Sequence, residues 1–200
     1  MARRVDFEVI AQLAPQGARV LDVGCGDGEL LEKLARERGA IARGLELSQA
    51  GVNAAVARGL SVVQGDADTD LAFYPDSAFD LVVMSMSIQA TRRPRQVLGE
   101  LLRIGRRAIV SMPNFGHWRV AASLLAGRMP VTPALPARWD ETENIHLCTL
   151  KDFADLAAAA QARIEQIIPI AQGKARAPIQ SVGLFTSLAA TDGLFVLSRR

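Results

Sequence analysis

The fold is decided by one stretch near the start of the chain, Arg19-Val20-Leu21-Asp22-Val23-Gly24-Cys25-Gly26-Asp27-Gly28-Glu29-Leu30-Leu31. Its apolar run 20–23 predicts a buried strand, and leucines at helical spacing from Leu30 to Leu34 predict a helix after the glycines. Glycine suits a turn with a positive φ, or a place where a Cβ would collide with a ligand. The unpaired amides at the start of such a helix face the crevice where α/β sheets bind nucleotides.

The glycine spacing and the nearby charges narrow the choice of ligand. Dinucleotide folds use G-x-G-x-x-G, and phosphate-binding loops use G-x-x-x-x-G-K-[ST]. Here the glycines alternate and no lysine follows, and the acids Asp22, Asp27 and Glu29 would repel a pyrophosphate but not a cationic sulfonium with an amino-acid group. An ordinary tight turn would also produce a glycine loop, so the rest of the chain must agree.

The loop resembles motif I of class I S-adenosylmethionine (SAM)-dependent methyltransferases, whose form is close to (V/L)-L-(D/E)-x-G-x-G-x-G. The resemblance implies that Gly24, Cys25, Gly26 and Gly28 belong to the SAM site. Asp22 is expected to meet the ammonium of the ligand, either through its side chain or through water. Because Cys25 lies in a loop where only a small side chain is needed, we do not expect it to be a nucleophile.

Two further acids follow the next two predicted strands, 41–47 and 60–64. Glu46 lies 18 residues after Gly28, at a strand end where an acid can accept hydrogen bonds from both ribose hydroxyls. Asp66 lies just after the following strand and could accept a hydrogen bond from the adenine amino group. Acids at three successive strand ends, behind alternating glycines, make coincidence a poor explanation.

Apolar and small residues complete the predicted cofactor site. Leu47 and Ala67 follow the two acids and could pack on the faces of the adenine. Met84 and Ser85, at the end of the predicted strand 79–84, would lie beside the amino-acid end of the ligand. The predicted cofactor-site residues therefore lie at the ends of four predicted strands.

Predicted strands and helices alternate along the chain, which indicates a parallel sheet with helices on both faces. The remaining predicted elements are helices at 5–14, 48–58, 94–102, 117–126 and 152–161, and strands at 107–112, 163–170 and 193–198. The last two strands could form a hairpin pair at the sheet edge, and the pattern does not place residues 171–189. With motif I, this implies an α/β, Rossmann-like class I SAM-dependent methyltransferase fold with a mostly parallel seven-stranded sheet. We expect one domain over residues 1–200, with an irregular, proline-bearing insertion at about 127–149.

Composition argues against several classes of protein. The formal net charge is only +2, and the arginine clusters at 92–95 and 103–107 have no aromatic residues interleaved, so we expect no nucleic-acid site. Cys25 and Cys148 lack a CxxC spacing, and His146 with Cys148 gives only two ligands, so we expect neither disulfide nor metal. The N-terminus has no apolar signal-peptide region, and no run approaches the ~20 apolar residues of a membrane span. We therefore expect a cytoplasmic protein that contacts no membrane.

Several strings resemble the MetW family of bacterial methionine-biosynthesis proteins, over about residues 4–170. They are VLDVGCGDGELL at 20–31, FDLVV at 79–83, IQA at 88–90, SMPNFGHWR at 111–119, GRMP at 127–130 and NIHLCT at 144–149. Generic methyltransferases have no need of PNFGHW, GRMP or NIHLCT. The chain departs from the family's W-x-D-T-P-N-I-H, with Glu143 in place of the proline, and from its Leu-Ser-Gln-Thr-Leu at 84–88. These departures leave the detailed role of the insertion open.

The family resemblance implies binding of SAM, or of S-adenosyl-L-homocysteine, and a place in methionine biosynthesis. It also implies an accessory or activator role beside a homoserine O-acyltransferase of the MetX type, with SAM as a feedback signal. Trp118 and Trp139 are candidate anchors for that partner, because tryptophan is favoured at binding hot spots. Partly buried packing would explain both tryptophans equally well.

The alternative function is a methyltransferase that acts on a small metabolite. His117 and His146, the only two histidines, lie in family-specific strings and could each serve as a general base. A loop histidine that bonds to backbone is the commoner case. No amide-methylating N-P-P-Y-type motif follows the fourth strand, which favours the accessory role. The glycine spacing disfavours a nicotinamide-binding reductase.

Overall fold

The computed structural model describes residues 4–132, 138–142 and 144–199 of the protein. Residues 133–137 of the predicted insertion, and the Glu143 departure, lie outside the described residues. The helices are α1 (Val5–Leu13), α2 (Glu29–Arg38), α3 (Gln49–Ala57), α4 (Pro94–Ile104), α5 (Trp118–Leu125), α6 (Leu150–Ala159) and α7 (Leu184–Ala189). The strands are β1 (Arg19–Val23), β2 (Ile41–Glu46), β3 (Val62–Gln64), β4 (Phe79–Ser85), β5 (Gly105–Pro113), β6 (Ala162–Ala171), β7 (Lys174–Ala175) and β8 (Asp192–Arg199).

All of these strands join one sheet in the order β3-β2-β1-β4-β5-β8-β6-β7. The first five are parallel to their neighbours, and β8, β6 and β7 pair antiparallel. The sheet has eight strands, so the prediction of seven was wrong. The extra strand, β7, is only two residues long and comes from the stretch 171–189, which also contains α7.

The last two predicted strands do pair with each other, but they are not a hairpin at the edge. The C-terminal strand β8 inserts between β5 and β6, and the short β7 forms the outer edge. The connection between β3 and β4 contains a short 3₁₀ turn, Asp70–Phe73. The mostly parallel α/β architecture with helices is nevertheless the one predicted.

Local sequence signals explain several of the helix ends. Ser48 caps α3 by accepting a hydrogen bond from the amide of Gly51, as the sequence predicts. Pro94 stands in the first turn of α4, where its missing N–H is harmless. Gly39 ends α2 in the left-handed conformation.

The buried core lies on both faces of the sheet. Along β1, Leu21 belongs to the cluster that contains residues of α4 and α6, whereas Val20 belongs to the cluster with α1 and α2. Both side chains are fully buried, because a central parallel strand is covered on both faces. This explains why the strand appears in the sequence as an unbroken apolar run. No helix in the described part of the chain is long and apolar enough to cross a membrane.

Candidate functional site

A pocket of about 390 Å³ lies at the carboxyl ends of β1, β2 and β4. We call it the glycine-loop pocket, and it is lined by residues 23–24, 45–47, 65–68 and 90–92, with Met84, Ser87 and Asn144. Parallel pairing brings these strand ends to one edge of the sheet. Six predicted cofactor-site residues line it, namely Gly24, Glu46, Leu47, Asp66, Ala67 and Met84.

The three glycines of the loop all have positive φ, but their surroundings differ. A Cβ on Gly24 would come within 2.7 Å of the Ser87 hydroxyl oxygen, and one on Gly28 would collide with the side chain of Leu60. A Cβ on Gly26 would meet nothing within 4 Å, so this part of the loop faces open space. Gly28 therefore serves the packing behind the loop, and Gly26 leaves room beside it.

Glu46 ties the glycine loop to the start of α3. Its Oε2 accepts a hydrogen bond from the Gly26 amide and its Oε1 accepts one from the Ser48 amide, each at 2.9 Å. A carboxylate has about four acceptor positions, so two stay available on the pocket side. That capacity fits a pair of neighbouring hydroxyls, as predicted for the ribose.

The loop after β3 is fixed by its own acids. Asp66 Oδ1 accepts from the amide of Asp68, and the carboxylate of Asp68 accepts from the amides of Arg92 and Arg93 at 2.8 Å. Asp66 Oδ2 lies 3.9 Å from the Arg92 guanidinium. Leu47, which lines the pocket, is 64% exposed and offers an apolar surface. This wall has the acceptor and the apolar contact that an adenine would use.

Asp22 lies at the end of β1 and is only 2% exposed. Its Oδ1 has no hydrogen-bond partner in the part of the chain that the structure describes. Burial raises the pKa of this carboxyl to about 7, the charge of Arg4 opposes the rise, and the charge of Glu46 adds to it. A buried carboxylate with an unused oxygen is an acceptor for a cation that the protein itself does not supply.

Cys25 and Ser85, two other residues of the predicted cofactor site, are both buried. Cys25 is buried, and burial with the charge of Asp22 raises the pKa of its thiol to about 12, so the thiol is not activated. Ser85 does not line the pocket. Its hydroxyl donates to Asp6 at 2.6 Å and accepts from Arg4, whose Nη2 lies 2.9 Å away. The sequence analysis assigned Ser85 to the ligand, and the structure places it in a buried network that fastens α1 to the sheet.

Asp6 is a buried residue beside the candidate site that the sequence analysis missed. It is 3% exposed and accepts hydrogen bonds from Arg4, Ser85 and Ser111. Burial raises the pKa of Asp6, but the hydrogen bonds from Arg4 and Ser85 outweigh it, so the pKa lies below its usual range. The sequence did contain a signal for Asp6, because it lies on the same helix face as Val9. An acid on an apolar helix face has to be paired.

A second pocket of about 520 Å³ lies beside the first, and we call it the β5 pocket. It is lined by residues 113–115, one side of α5, residues 130–132, Gln89 and Ala90, Ile145, Leu147 and Asp192. Ala90 lines both pockets. Asn144 donates to the carbonyl of Ala90 and the amide of His146 donates to the carbonyl of Gln89, each at 2.8 Å. The described residues 144–148 thus form a strap between the two pockets.

The two predicted histidines lie in different places. His117 lines the β5 pocket, and its Nδ1 accepts a hydrogen bond from the amide of Arg119 at the start of α5. Burial lowers the pKa of His117, so the ring is neutral at pH 7. His146 lies in the strap and lines neither pocket. The described residues hold no cluster of three or more metal-ligating side chains.

Both predicted partner anchors are exposed. Trp118 is 53% exposed and stacks beside the guanidinium of Arg119, and Trp139 is 71% exposed. Leu125 is 90% exposed on the same side of α5 as Trp118. Both tryptophans are therefore accessible to a partner.

A sequence model of the family described as methionine biosynthesis protein MetW matches residues 4–197. The chain belongs to the MetW family. This MetW-family chain is 34% identical, over 163 residues, to the bifunctional methionine biosynthesis protein MetXA/MetW of Rhodopirellula baltica, covering 76% of the chain and 26% of that protein. It is 32% identical, over 166 residues, to a ubiquinone biosynthesis O-methyltransferase of Xanthomonas oryzae pv. oryzae, covering 72% of the chain and 69% of that protein. The chain thus spans about a quarter of the length of the bifunctional relative.

Solved structures agree on the fold. A SAM-dependent methyltransferase from Mesorhizobium loti superposes with a TM-score of 0.72 at 18% identity, covering 98% of each chain. The MetW-family chain therefore has the Rossmann-like SAM-dependent methyltransferase fold that motif I predicts.

Proposed function

We propose that this chain is one SAM-binding domain that acts in methionine biosynthesis as an accessory or activator of a homoserine O-acyltransferase of the MetX type. The proposal of this partner rests on the relative from Rhodopirellula baltica, whose name joins MetXA and MetW in one protein. A fused pair in one organism suggests that the separate chains work together in another. The bound ligand would be SAM or S-adenosyl-L-homocysteine.

The glycine-loop pocket supports the choice of SAM through its charges. Glu46 offers acceptors for the ribose hydroxyls, and Asp66 with Leu47 suits an adenine. Asp22 has a buried, unpartnered oxygen for the ammonium. The carboxylates gathered at this edge of the sheet favour a ligand that carries a sulfonium and an ammonium, and they disfavour a pyrophosphate.

The partner surface would be an apolar stripe on α5 and the segment after it. Trp118, Leu125, Met129 and Val131 are all at least 46% exposed. Exposed large apolar side chains grouped on one short helix and its continuation are typical of a protein contact. Trp139, in the same insertion as Met129 and Val131, is exposed and is a further candidate for the contact, as the sequence analysis suggested.

The strap 144–148 gives SAM a way to affect that surface. One end of the strap borders the glycine-loop pocket at Asn144, and the other borders the β5 pocket at Leu147. The amide of Phe115, just before α5, donates to the carbonyl of Cys148 in the strap. A ligand that holds Asn144 and Ala90 would therefore favour one arrangement of the strap and of α5, which couples SAM occupancy to partner affinity.

The test is the activity of the same organism's acyltransferase, titrated with this protein with and without SAM. We expect the rate to rise at a near-equimolar ratio and to depend on SAM. Leu125→Asp should weaken both activation and co-elution, because it places a charge in the apolar surface. Val56→Asp, which changes an exposed apolar residue on α3, is the matched control. An unchanged rate, with no complex on a sizing column, would reject the accessory role.

The second candidate function is methyl transfer to a small metabolite in the β5 pocket. SAM, when bound, supplies an activated methyl group, and the pocket is large enough for an acceptor. The geometry of His117 argues against a general base there. Because its Nδ1 accepts from the Arg119 amide, the neutral ring carries its proton on Nε2 and is a donor to the pocket. Formation of S-adenosyl-L-homocysteine from SAM and pathway metabolites would support this function over the first.

A further inference from the structure

The β5 pocket has charged groups of both signs in its lining. Arg119 and His117 come from the start of α5, and Asp192 is the first residue of β8. Burial lowers the pKa of His117 and so does the charge of Arg119, whereas the charge of Asp192 opposes the fall. Because both charges act on one imidazole ring, a single small ligand can meet all three groups. We call these three residues the charged end of the pocket.

Each group of the charged end has hydrogen-bonding capacity that the described residues do not use. The guanidinium carbon of Arg119 lies 5.3 Å from the centre of the Trp118 ring, and the group has no ion pair among the described residues. Because Nδ1 of His117 accepts from the Arg119 amide at 3.3 Å, the neutral ring has its N–H on Nε2. Asp192 Oδ2 accepts from the Thr191 hydroxyl at 2.7 Å, and Oδ1 accepts nothing in the described part of the chain. The pocket therefore offers a cation, a neutral donor and a carboxylate oxygen.

Asp192 is a half-buried acid without an ion pair in the described ranges. Burial raises its pKa, although the hydrogen bond from Thr191 opposes the rise. The charge of Arg4 also acts on Asp192, but Arg4 donates its hydrogen bonds to Asp6 and Ser85. A positive group beside Oδ1 would therefore form an ion pair where water is partly excluded.

The rest of the β5 pocket is mostly apolar and has the size of a small-molecule site. Its wall includes Phe115, Val120, Val131, Ile145 and Leu147. The volume of about 520 Å³ falls within the roughly 300–1,000 Å³ that such sites occupy. A ligand that matches this pocket therefore has an apolar body in addition to its charged groups.

A ligand with a single charge would match only part of the charged end. A simple carboxylate would pair with Arg119 and the His117 N–H, but it would face the charge of Asp192. A simple amine would pair with Asp192 and leave the donors of Arg119 and His117 unused. An α-amino acid carries an ammonium and a carboxylate on the same carbon, so it matches both kinds of group at once.

We propose that the β5 pocket binds a free α-amino acid with an apolar side chain, with Arg119 and His117 donating to its carboxylate and Asp192 accepting from its ammonium. The apolar wall holds the side chain. The inference concerns binding alone and goes beyond the proposed function. It needs neither SAM in the glycine-loop pocket nor an acyltransferase partner, and it holds whether or not a methyl group is transferred.

The probes are L-norleucine, which has both charges and an unbranched apolar tail, and two matched analogues that each lack one charge. Hexanoate lacks the ammonium, and n-pentylamine lacks the carboxylate. Methyl NMR of the whole protein follows each titration. L-norleucine should shift the methyl resonances of Val120 and Ile145, in the β5 pocket, and not those of Val23 and Leu45, in the glycine-loop pocket. It should bind about tenfold or more tightly than either analogue, since each analogue loses a charge-assisted pair.

Two variants assign the two charges of the amino acid to their partners. Asp192→Asn should weaken binding of L-norleucine and n-pentylamine by about tenfold, and Arg119→Met should weaken L-norleucine and hexanoate by a similar factor. Arg128→Met, which removes an exposed arginine just after α5 that lines neither pocket, is the control and should change no affinity.

The wild-type titrations can reject the assignment without any variant. No shift at Val120 and Ile145 with about 10 mM L-norleucine, which saturates a millimolar site, would overturn it. So would equal affinity for L-norleucine and either analogue, because the two charges would then not be read together. Shifts at Val23 and Leu45 that SAM reverses would place the amino acid in the glycine-loop pocket instead. A protein that binds L-norleucine as predicted but no SAM would overturn the proposed function and support this inference.

Discussion

The buried carboxyl of Asp22 predicts a pH dependence that can be worked out with its sign. Its pKa is raised from 3.8 to about 7, mainly by burial. The folded protein therefore holds this proton more tightly than the unfolded chain does. The stability that Asp22 contributes is complete below about pH 4 and is lost as the pH rises through about 7. At 1.36 kcal/mol per pKa unit, the loss amounts to about 4 kcal/mol at pH 8.

Asp22→Asn removes this charge and nearly preserves the shape. The stability of the variant relative to wild type should rise by about 2.5–3 kcal/mol between pH 5 and pH 8, which is the part of the total of about 4 kcal/mol that falls in this range. Denaturant titrations of both proteins at several pH values measure the change, and the effect of Asp192, on whose pKa Asp22 is not among the causes, cancels in the difference. Asp27→Asn, which removes an exposed acid from the same loop, is the control.

SAM affinity should change with pH in the opposite direction to the stability of the wild-type protein. A bound ammonium favours the ionised carboxyl, so SAM affinity should fall about tenfold per pH unit below pH 7, and binding at pH 6 should release a proton. Calorimetry in two buffers of different ionisation enthalpy counts that proton. A relative stability of Asp22→Asn that is flat from pH 5 to pH 8 would refute the buried-charge argument. SAM affinity that is independent of pH would refute the contact with the ammonium.

Four further perturbations test other parts of the site and the partner surface. Glu46→Ala should lower SAM affinity by about tenfold or more through loss of charge-assisted hydrogen bonds, measured by calorimetry, and unchanged affinity would exclude the carboxylate from the site. Gly28→Ala should destabilise the fold by about 1–3 kcal/mol in denaturant titrations, because of its positive φ and the collision with Leu60; wild-type stability would contradict this geometry. Gly26→Val should abolish SAM binding while the circular dichroism stays native, and retained affinity would remove the glycine loop from the site. Trp139→Ala should weaken co-purification with the acyltransferase, and an undiminished yield would exclude this residue from the contact.

The parts of the fold that the sequence predicts are those with local signals. The strand, glycine turn and helix around residues 19–31 are continuous in the chain, so spacing and side-chain type were enough. The two residues of β7 are too short to show any periodicity, which is why the count of strands was wrong. The position of β8 between β5 and β6 depends on pairing between distant segments, and no local pattern records it.

The same difference between local signals and long-range contacts applies to the candidate site. Glu46 and Asp66 could be predicted because each follows its own strand, and parallel strands end at one edge. The buried network of Asp6 could not, since its partners Ser85 and Ser111 are 79 and 105 residues away. Ser85 was assigned to the ligand because the sequence does not show that α1 reaches the end of β4.

The central position of β8 bears on how the protein is made on the ribosome. In the final sheet β6 pairs with β8 on one side and with the two-residue β7 on the other. Because β6 is synthesised before β8, its main partner is missing until residues 192–199 emerge. During translation, β5 and β6 each present an unpaired apolar edge, which is a known route to aggregation. Arrest peptides placed after successive lengths of the chain should therefore register the main folding force only once β8 has left the exit tunnel.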